Sequence, residues 1–444
     1  MLFGKTARLL VAAALALVMS GQAAHATPVK IDFFFPVPVE GALAKEITRI
    51  VKEYNESQTA VEVTPSYTGS YDETKIKAQA ATQAGKPPTV VLMSANFTLD
   101  LRIAGDILSL EPMLKKEGTT KEKFLADFWP ALHSNAIVDG ELCAVPYHNS
   151  TPLLYYNKTM FKEAGLDPEK APVTWEELVT AAKKLTRDGD GQIERAGFMM
   201  PANYDYLGWI ATALTMCNGG EWYNPYYGGE VYYDTPSTLG AVQFIEDLVH
   251  KHKVMPPAVN DGGAVTTSFL SGKAAMVIMS TGSLGAVRKA AKEAGLDYGV
   301  AFVPRQLRNA VPIGGASLVM FKGTTPEQQE AGWKFINHLT TKENLGAWSR
   351  FTGYFAPRIS SYDMPEMKAF LKENPDSEVA VRQLPYAQGW FATYQTLAVR
   401  KAMEDEIQAV ITGKKKAVQA VKEAQAKADE AMRPYVEKTA LKLP

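Results

Sequence analysis

The chain of 444 residues has only 2 cysteines and no excess of either charge, with 47 Lys and Arg against 48 Asp and Glu. Two cysteines cannot staple a small disulfide scaffold. Near-neutrality removes any bulk electrostatic reason to engage nucleic acid or an anionic membrane, so a charged ligand must be recognised locally by a few placed groups. After residue 27 no uncharged apolar run reaches the roughly 18 residues of a transmembrane helix. There is no internal repeat, no low-complexity segment and no long flexible linker. The hydrophobic share of 46% is ordinary for a globular protein. The length suits about two or three domains, each able to bury its own core.

The apolar run near the start has another meaning. Lys5 and Arg8 precede apolar residues 9–19, and small residues lead on to Ala24-His25-Ala26, the pattern of a secretory signal peptide cleaved before Thr27. The run is too short to span a bilayer, and no cysteine near the cut offers a lipid anchor. The mature chain is therefore expected to be a soluble periplasmic monomer. In that oxidising compartment Cys143 and Cys217 are either bridged or buried thiols, and their spacing leaves both open.

Strand-like and helix-like stretches alternate at 29–35, 42–54, 61–67, 71–84 and 89–93, which predicts a parallel, helix-covered α/β sheet. Thr174-Trp175-Glu176-Glu177 and Thr325-Pro326-Glu327-Gln328 are capping boxes that start helices. Residues 393–411 and 415–432 are helical in period, with Thr412-Gly413 as the stop between them.

Catalytic and metal motifs are missing. His133, His148, His250, His252 and His338 form no H-E-x-x-H, and there is no paired-cysteine site, nucleophile elbow, Walker loop or dinucleotide fingerprint. Asp188-Gly189-Asp190-Gly191 opens like a calcium loop but has Ile193 where the loop needs Gly and Met199 where it needs Glu, so a polar turn is the reading. His250-Lys251-His252-Lys253 reads as a solvated helix end. No metal or cofactor is expected. Tyr206, Trp209, Trp222, Tyr223, Tyr226 and Tyr227 crowd one Gly-rich region, either as ligand-stacking faces or as ordinary packing.

Three later groups of residues are more specific. They are the run from His148-Asn149-Ser150-Thr151-Pro152 to Tyr155-Tyr156-Asn157, then Phe161-Lys162-Glu163-Ala164-Gly165-Leu166, and then Thr174-Trp175-Glu176-Glu177-Leu178. Together they resemble the signature of extracellular solute-binding proteins of carbohydrate-type ABC importers. Gly272-Lys273-Ala274-Ala275-Met276, Ser280-Thr281-Gly282-Ser283, Ile313-Gly314-Gly315-Ala316-Ser317, Thr352-Gly353-Tyr354 and Arg400 are similar to the glycerol-phosphate-binding members of that family. The resemblance implies a type II periplasmic-binding-protein fold, with two discontinuous α/β lobes and the ligand in the cleft between them. Placed on this chain, the N-terminal lobe takes 27–152 plus 284–341 and the C-terminal lobe 153–283 plus 342–444. The ligand contacts carried over by resemblance are Tyr71, Ser150, Ser280, Gly315, Tyr354 and Arg400, with Ala95, Tyr206, Trp209, Gly282 and Ser283 as further candidates.

On this reading Arg400 and the hydroxyls hold a phosphate, aided by the helix that Ser280-Thr281-Gly282-Ser283 opens. Loss of Arg400 should abolish organophosphate binding and leave the apo fold nearly unchanged, whereas a large loss of apo stability would mark it as an ion-pairing residue of the fold, the alternative reading of an Arg on a helix. Ala95 stands where the glycerol-phosphate binders carry a Glu for the alcohol hydroxyls, and Tyr206 replaces a Trp. The implied ligand is glycerol 3-phosphate, a glycerophosphodiester or a related organophosphate, delivered to an inner-membrane ABC permease. The rivals are a receptor for a neutral sugar or polyol, a secreted hydrolase and a structural envelope protein.

Overall fold

The computed structural model describes residues 27–36, 42–189 and 192–440. The signal peptide expected at 1–26, and Asp190 and Gly191 of the polar turn, lie outside them. The alternation read from sequence is present as β1 (Val29–Phe35), α1 (Ala42–Ser57), β2 (Val61–Tyr67), α2 (Tyr71–Gln83), β3 (Val90–Ser94) and the short α3 (Thr98–Ala104). Ile31, Phe33 and Phe35 alternate along β1 into the same core as Leu43, Ile47, Val51 and Tyr54, which recur at helical spacing on α1. Ser70 starts α2 with a capping box: its hydroxyl accepts from the Glu73 amide, and the Glu73 carboxylate accepts from the Ser70 amide. The first turn of α2 thus holds Tyr71 and Asp72 in place.

Five strands complete the framework: β4 (Val145–Ser150), β5 (Pro152–Asn157), β6 (Met276–Ser280), β7 (Tyr298–Ala301) and β8 (Gly314–Met320). The first lobe is built on a sheet of order β2-β1-β3-β8-β4, and the second on a sheet of order β6-β5-β7. β1 is parallel to β2 and β3, but β8 is antiparallel to both β3 and β4. The first sheet is therefore mixed where the sequence predicts parallel. The reason is topological: β8 arrives from the second lobe and starts beside the end of β3, with Ala316 opposite Ser94. The second sheet is antiparallel throughout.

The helices that matter for the site are α4 (Trp175–Leu185), α5 (Tyr206–Cys217), α6 (Leu284–Ala294), α7 (Pro326–Leu339), α8 (Lys342–Thr352), α9 (Thr396–Ile411) and α10 (Ala417–Thr439). The capping boxes at Thr174 and Thr325 start α4 and α7 as the sequence predicts. The lobe boundary differs. Leu284 and Val287 of α6 pack with Leu153, Tyr155, Val277 and Met279 of the second sheet, and β7 belongs to that sheet. Leu345 and Trp348 of α8 instead sit in the first-lobe core. The returning part of the first lobe thus begins near Gly314 and ends near Tyr354, not at 284–341, because packing against β5 and β6 decides where α6 belongs.

Cys143 lies in the first-lobe core and Cys217 in the second, and both are free thiols. Burial pushes each up to about 11, which keeps them inert. The aromatic cluster divides: Trp222 and Tyr223 are core, Tyr226 is 95% exposed, and Tyr206 and Trp209 reach the cleft. His250 anchors its helix end by bonding the Val410 carbonyl at 2.8 Å. Among the described residues no helix is long and apolar enough to cross a membrane, and no group of His, Cys, Asp or Glu is arranged to hold a metal.

Candidate functional site

The site follows from strand register. β4 and β5 are separated by Thr151 alone, and this residue carries the chain from one sheet to the other. Ser150 is paired with Gly314 across the first sheet, and Pro152 with Ser280 across the second. Ser150, the Gly314-Gly315 pair and Ser280 are therefore drawn together where the lobes meet. Tyr71 joins them from the start of α2 and Tyr354 from just beyond α8. A narrow interlobe cavity of ≈ 30 Å³ is lined by these residues together with Tyr206, Trp209, Asp205 and Trp390, room for a water molecule or two in this closed arrangement.

The glycines are required by space and conformation. Gly315 has φ +80°, and a Cβ there would lie 2.0 Å from the His148 carbonyl oxygen. A Cβ on Gly282 would enter the Tyr354 ring at 2.4 Å. Gly282 thus seats Tyr354 and does not line the cavity. Its amide is already bonded to the Ser280 hydroxyl at 3.0 Å, and the Thr281 amide to the Thr151 carbonyl at 3.0 Å. The N-terminus of α6 is thus partly capped by its own chain. Ser283 is buried in the same turn, and Ala95 is buried at the end of β3; neither lines the cavity.

Behind the cavity wall stands His148. Its ring is parallel to Tyr354 at 5.0 Å and 5°, and its Nε2 lies 2.9 Å from the Tyr71 hydroxyl. Burial lowers its pKa to about 3, so the imidazole is neutral and orients the two phenols. Burial also pushes the Tyr206 hydroxyl up to about 12, with Asp205 adding to the shift. The phenols therefore stay protonated and act as donors. The indole N–H of Trp390, a cavity-lining residue that is 2% exposed, has no hydrogen-bond partner among the described residues.

Arg400 departs from the sequence expectation. It is fully buried on α9 and does not line the cavity. Its Nη2 donates to both Asp72 oxygens at 2.8 and 2.7 Å, its Nη1 to Asp205 at 3.0 Å and its Nε to Glu404 at 3.3 Å. The guanidinium carbon also lies over the Phe97 and Trp390 rings, 5.8 and 5.7 Å from their centroids. All three guanidinium nitrogens are engaged by carboxylates, so in this arrangement Arg400 turns no surface toward the cavity. Burial opposes its charge, but Glu404, Asp205 and Asp72 outweigh that and hold its pKa above the ordinary value.

Glu404 links this cluster to α5. Its second oxygen accepts from the amides of Asp205, at 2.7 Å, and Gly208, at 3.0 Å, capping the helix. Asp205 itself has φ 74° and ψ −56°, a strained backbone for a non-glycine residue and of a kind that collects at ligand sites. Its carboxylate thereby faces both Arg400 and the cavity. Burial, against the pull of Arg400, pushes the Asp205 carboxyl up to about 7.

Sequence reasoning missed Asp72, Asp205, Glu404 and Trp390. Glu404 had a signal, since it stands one helical turn after Arg400. Asp72 and Asp205 are the immediate neighbours of the predicted Tyr71 and Tyr206. Trp390 had none.

A family model described as bacterial extracellular solute-binding protein matches residues 49–378. The sn-glycerol-3-phosphate-binding periplasmic protein UgpB of Escherichia coli (strain K12) is 28% identical, over 96% of this chain and 98% of its own. UgpB of Yersinia pseudotuberculosis is 28% identical over 90% of this chain and 91% of its own. Among solved structures, UgpB from Mycobacterium tuberculosis in complex with glycerophosphocholine superposes with a TM-score of 0.79 at 24% identity, covering 93% of this chain and 100% of that one. A solute-binding protein from Thermotoga lettingae bound with alpha-D-tagatose gives 0.78 at 23% identity, covering 91% and 100%. These likenesses give the two-lobed fold of periplasmic sugar-binding proteins. With the family model matching well over half its length, the chain belongs to the bacterial extracellular solute-binding protein family.

Proposed function

We propose that this protein is the periplasmic receptor of an ABC importer and that it captures a small phosphate-bearing solute, either glycerol 3-phosphate or a glycerophosphodiester, and presents it to the inner-membrane permease. It acts as a monomer by binding and closure, without catalysis. The observation that carries the reading is the convergence of Tyr71, Ser150, Ser280, Gly315 and Tyr354 on one interlobe cavity that backs onto Arg400. Hydroxyls, an indole N–H and a nearby guanidinium are what phosphoryl oxygens require. Relatives named for glycerol 3-phosphate and a neighbour holding glycerophosphocholine support the same chemistry.

A neutral sugar or polyol is the second reading, and one observation favours it: three carboxylates already surround Arg400. Titration calorimetry against glycerol 3-phosphate, glycerophosphocholine, ribitol and a disaccharide decides between them. The phosphate compounds are expected to bind tightest, and a neutral compound binding best would overturn the reading. Recovery of the bound compound chemically unchanged excludes the hydrolase.

A further inference from the structure

The three acids on Arg400 are not equivalent. Glu404 lies on the same helix, one turn on, and is tied by its other oxygen to the start of α5. Asp205 heads α5 in the same lobe. Asp72 alone comes from the opposite lobe. Among the described residues its carboxylate has no other hydrogen-bond partner, and its side chain is 20% exposed where Arg400 has no exposed surface. It holds one guanidinium nitrogen, Nη2, with both of its oxygens, an anionic partner of the kind a phosphate oxygen pair could replace.

We propose that Asp72 is the specificity-determining residue of the cleft. It is an internal anion that holds Arg400 across the lobes, and a phosphate-bearing ligand must displace it to bind. The inference rests on the organophosphate reading and adds the group against which ligands are selected. Glu404 and Asp205 are fixed within the second lobe and stay with Arg400. Asp72 is withdrawn with its own lobe or swings out into solvent. An anion that takes its place keeps the lobes tied through itself. A neutral ligand leaves the Asp72–Arg400 pair intact and gains nothing from its removal.

This gives the Asp72→Asn variant a signature of opposite signs. If a phosphate ligand displaces Asp72, the liganded state lacks the pair in any case, and the substitution weakens only the tied, ligand-free state. Affinity for glycerophosphocholine should then rise, by about fivefold or more. A neutral ligand binds the tied state, so affinity for ribitol should stay level or fall. The ligand-free variant should also show a larger radius of gyration in X-ray scattering than the ligand-free wild type. Asp72→Glu, which keeps the charge, should return all three readouts toward wild type, and a melting curve checks that each variant is folded.

The wild type binding glycerophosphocholine while Asp72→Asn binds it equally or more weakly would overturn the displacement, since a merely structural Asp72 predicts that loss. An unchanged radius of gyration would overturn the cross-lobe tie. Failure of the wild type to bind any phosphate compound is a different outcome, which overturns the organophosphate reading and this proposal with it.

Discussion

At the scale of single residues, Arg400 sets the largest effects. Removing one member of a buried charge cluster leaves the others desolvated without compensation, at a cost of about 3–5 kcal/mol. Arg400→Ala would leave Asp72, Asp205 and Glu404 facing one another. We expect the apo protein to lose stability of that order in urea unfolding. This reverses the near-neutral outcome the sequence alone predicts, and a loss below about 1 kcal/mol would contradict the packing described. The two perturbed groups nearby act in opposite senses. The His148 pKa is lowered to about 3 in the fold, against about 6.5 unfolded. The unfolded chain therefore binds more protons between these values, and the stability from neutral His148 is lost as pH falls from 6.5 toward 3. Urea midpoints measured at pH 4.5 and 7 should differ more for the wild type than for His148→Gln. For Asp205, raised to about 7, the protonated form is the one the fold favours. Its contribution is greatest in acid and is lost as pH rises through 7. An anion beside it raises its pKa further, so affinity for a phosphodiester should increase as pH is lowered from 8 to 6, with proton uptake visible in calorimetry, and Asp205→Asn should flatten that profile.

At the scale of elements, the contrast between helix starts explains what the sequence could and could not reveal. The capping boxes of α4 and α7 place both partners within three residues, and local spacing is what a sequence displays. The cap of α5 is supplied by Glu404 across a separation of 199 residues, and no periodicity can announce it. Glu404→Ala should therefore unsettle two elements together, freeing the Asp205 and Gly208 amides and leaving Arg400 short of a partner. A loss of about 2–4 kcal/mol is expected, together with a weaker site, measured by melting and titration on the same preparation. The strands show the same division. The positions of β1, β2 and β3 follow from alternation and composition. The reversed direction of β8, and the membership of α6 in the second lobe, come from long-range packing. Ser150, Ser280, Gly315 and Tyr354 were legible through their motifs and Tyr71 only through the family resemblance, and the structure gathers all five at one cavity. The acids around Arg400 were not, because their meaning lies in whom they face.

At the scale of the whole molecule, two sheets share one chain that crosses between them, and each lobe keeps its own core. Cys143 and Cys217 are divided between those cores, so no intramolecular bridge forms in this fold. Protein purified from an oxidising compartment should contain two free thiols that react with a thiol reagent only after denaturation. A single bridged species under non-reducing conditions would contradict this arrangement. Several contacts already join the lobes beside the site. Trp390 and Asn135 exchange two hydrogen bonds at 2.8 and 2.9 Å, and the Gln395 amide donates to Asp100 at 3.1 Å. Binding and lobe movement thus use the same few residues.

The passage from β4 to β5 through Thr151 has an evolutionary corollary. Thr151 is fully buried and bonded to Thr281 and Gln383, so an added residue has no solvent to bulge into, and carried into β5 it would turn the strand's alternating side chains to the wrong faces. Ser280 would lose its place opposite Pro152, and Ser150 its place beside the cavity. Descendants of this receptor can acquire new ligands by exchanging side chains around the cavity. Insertions and deletions at Thr151 are closed to them, so this junction should keep its length while the chemistry around it diverges.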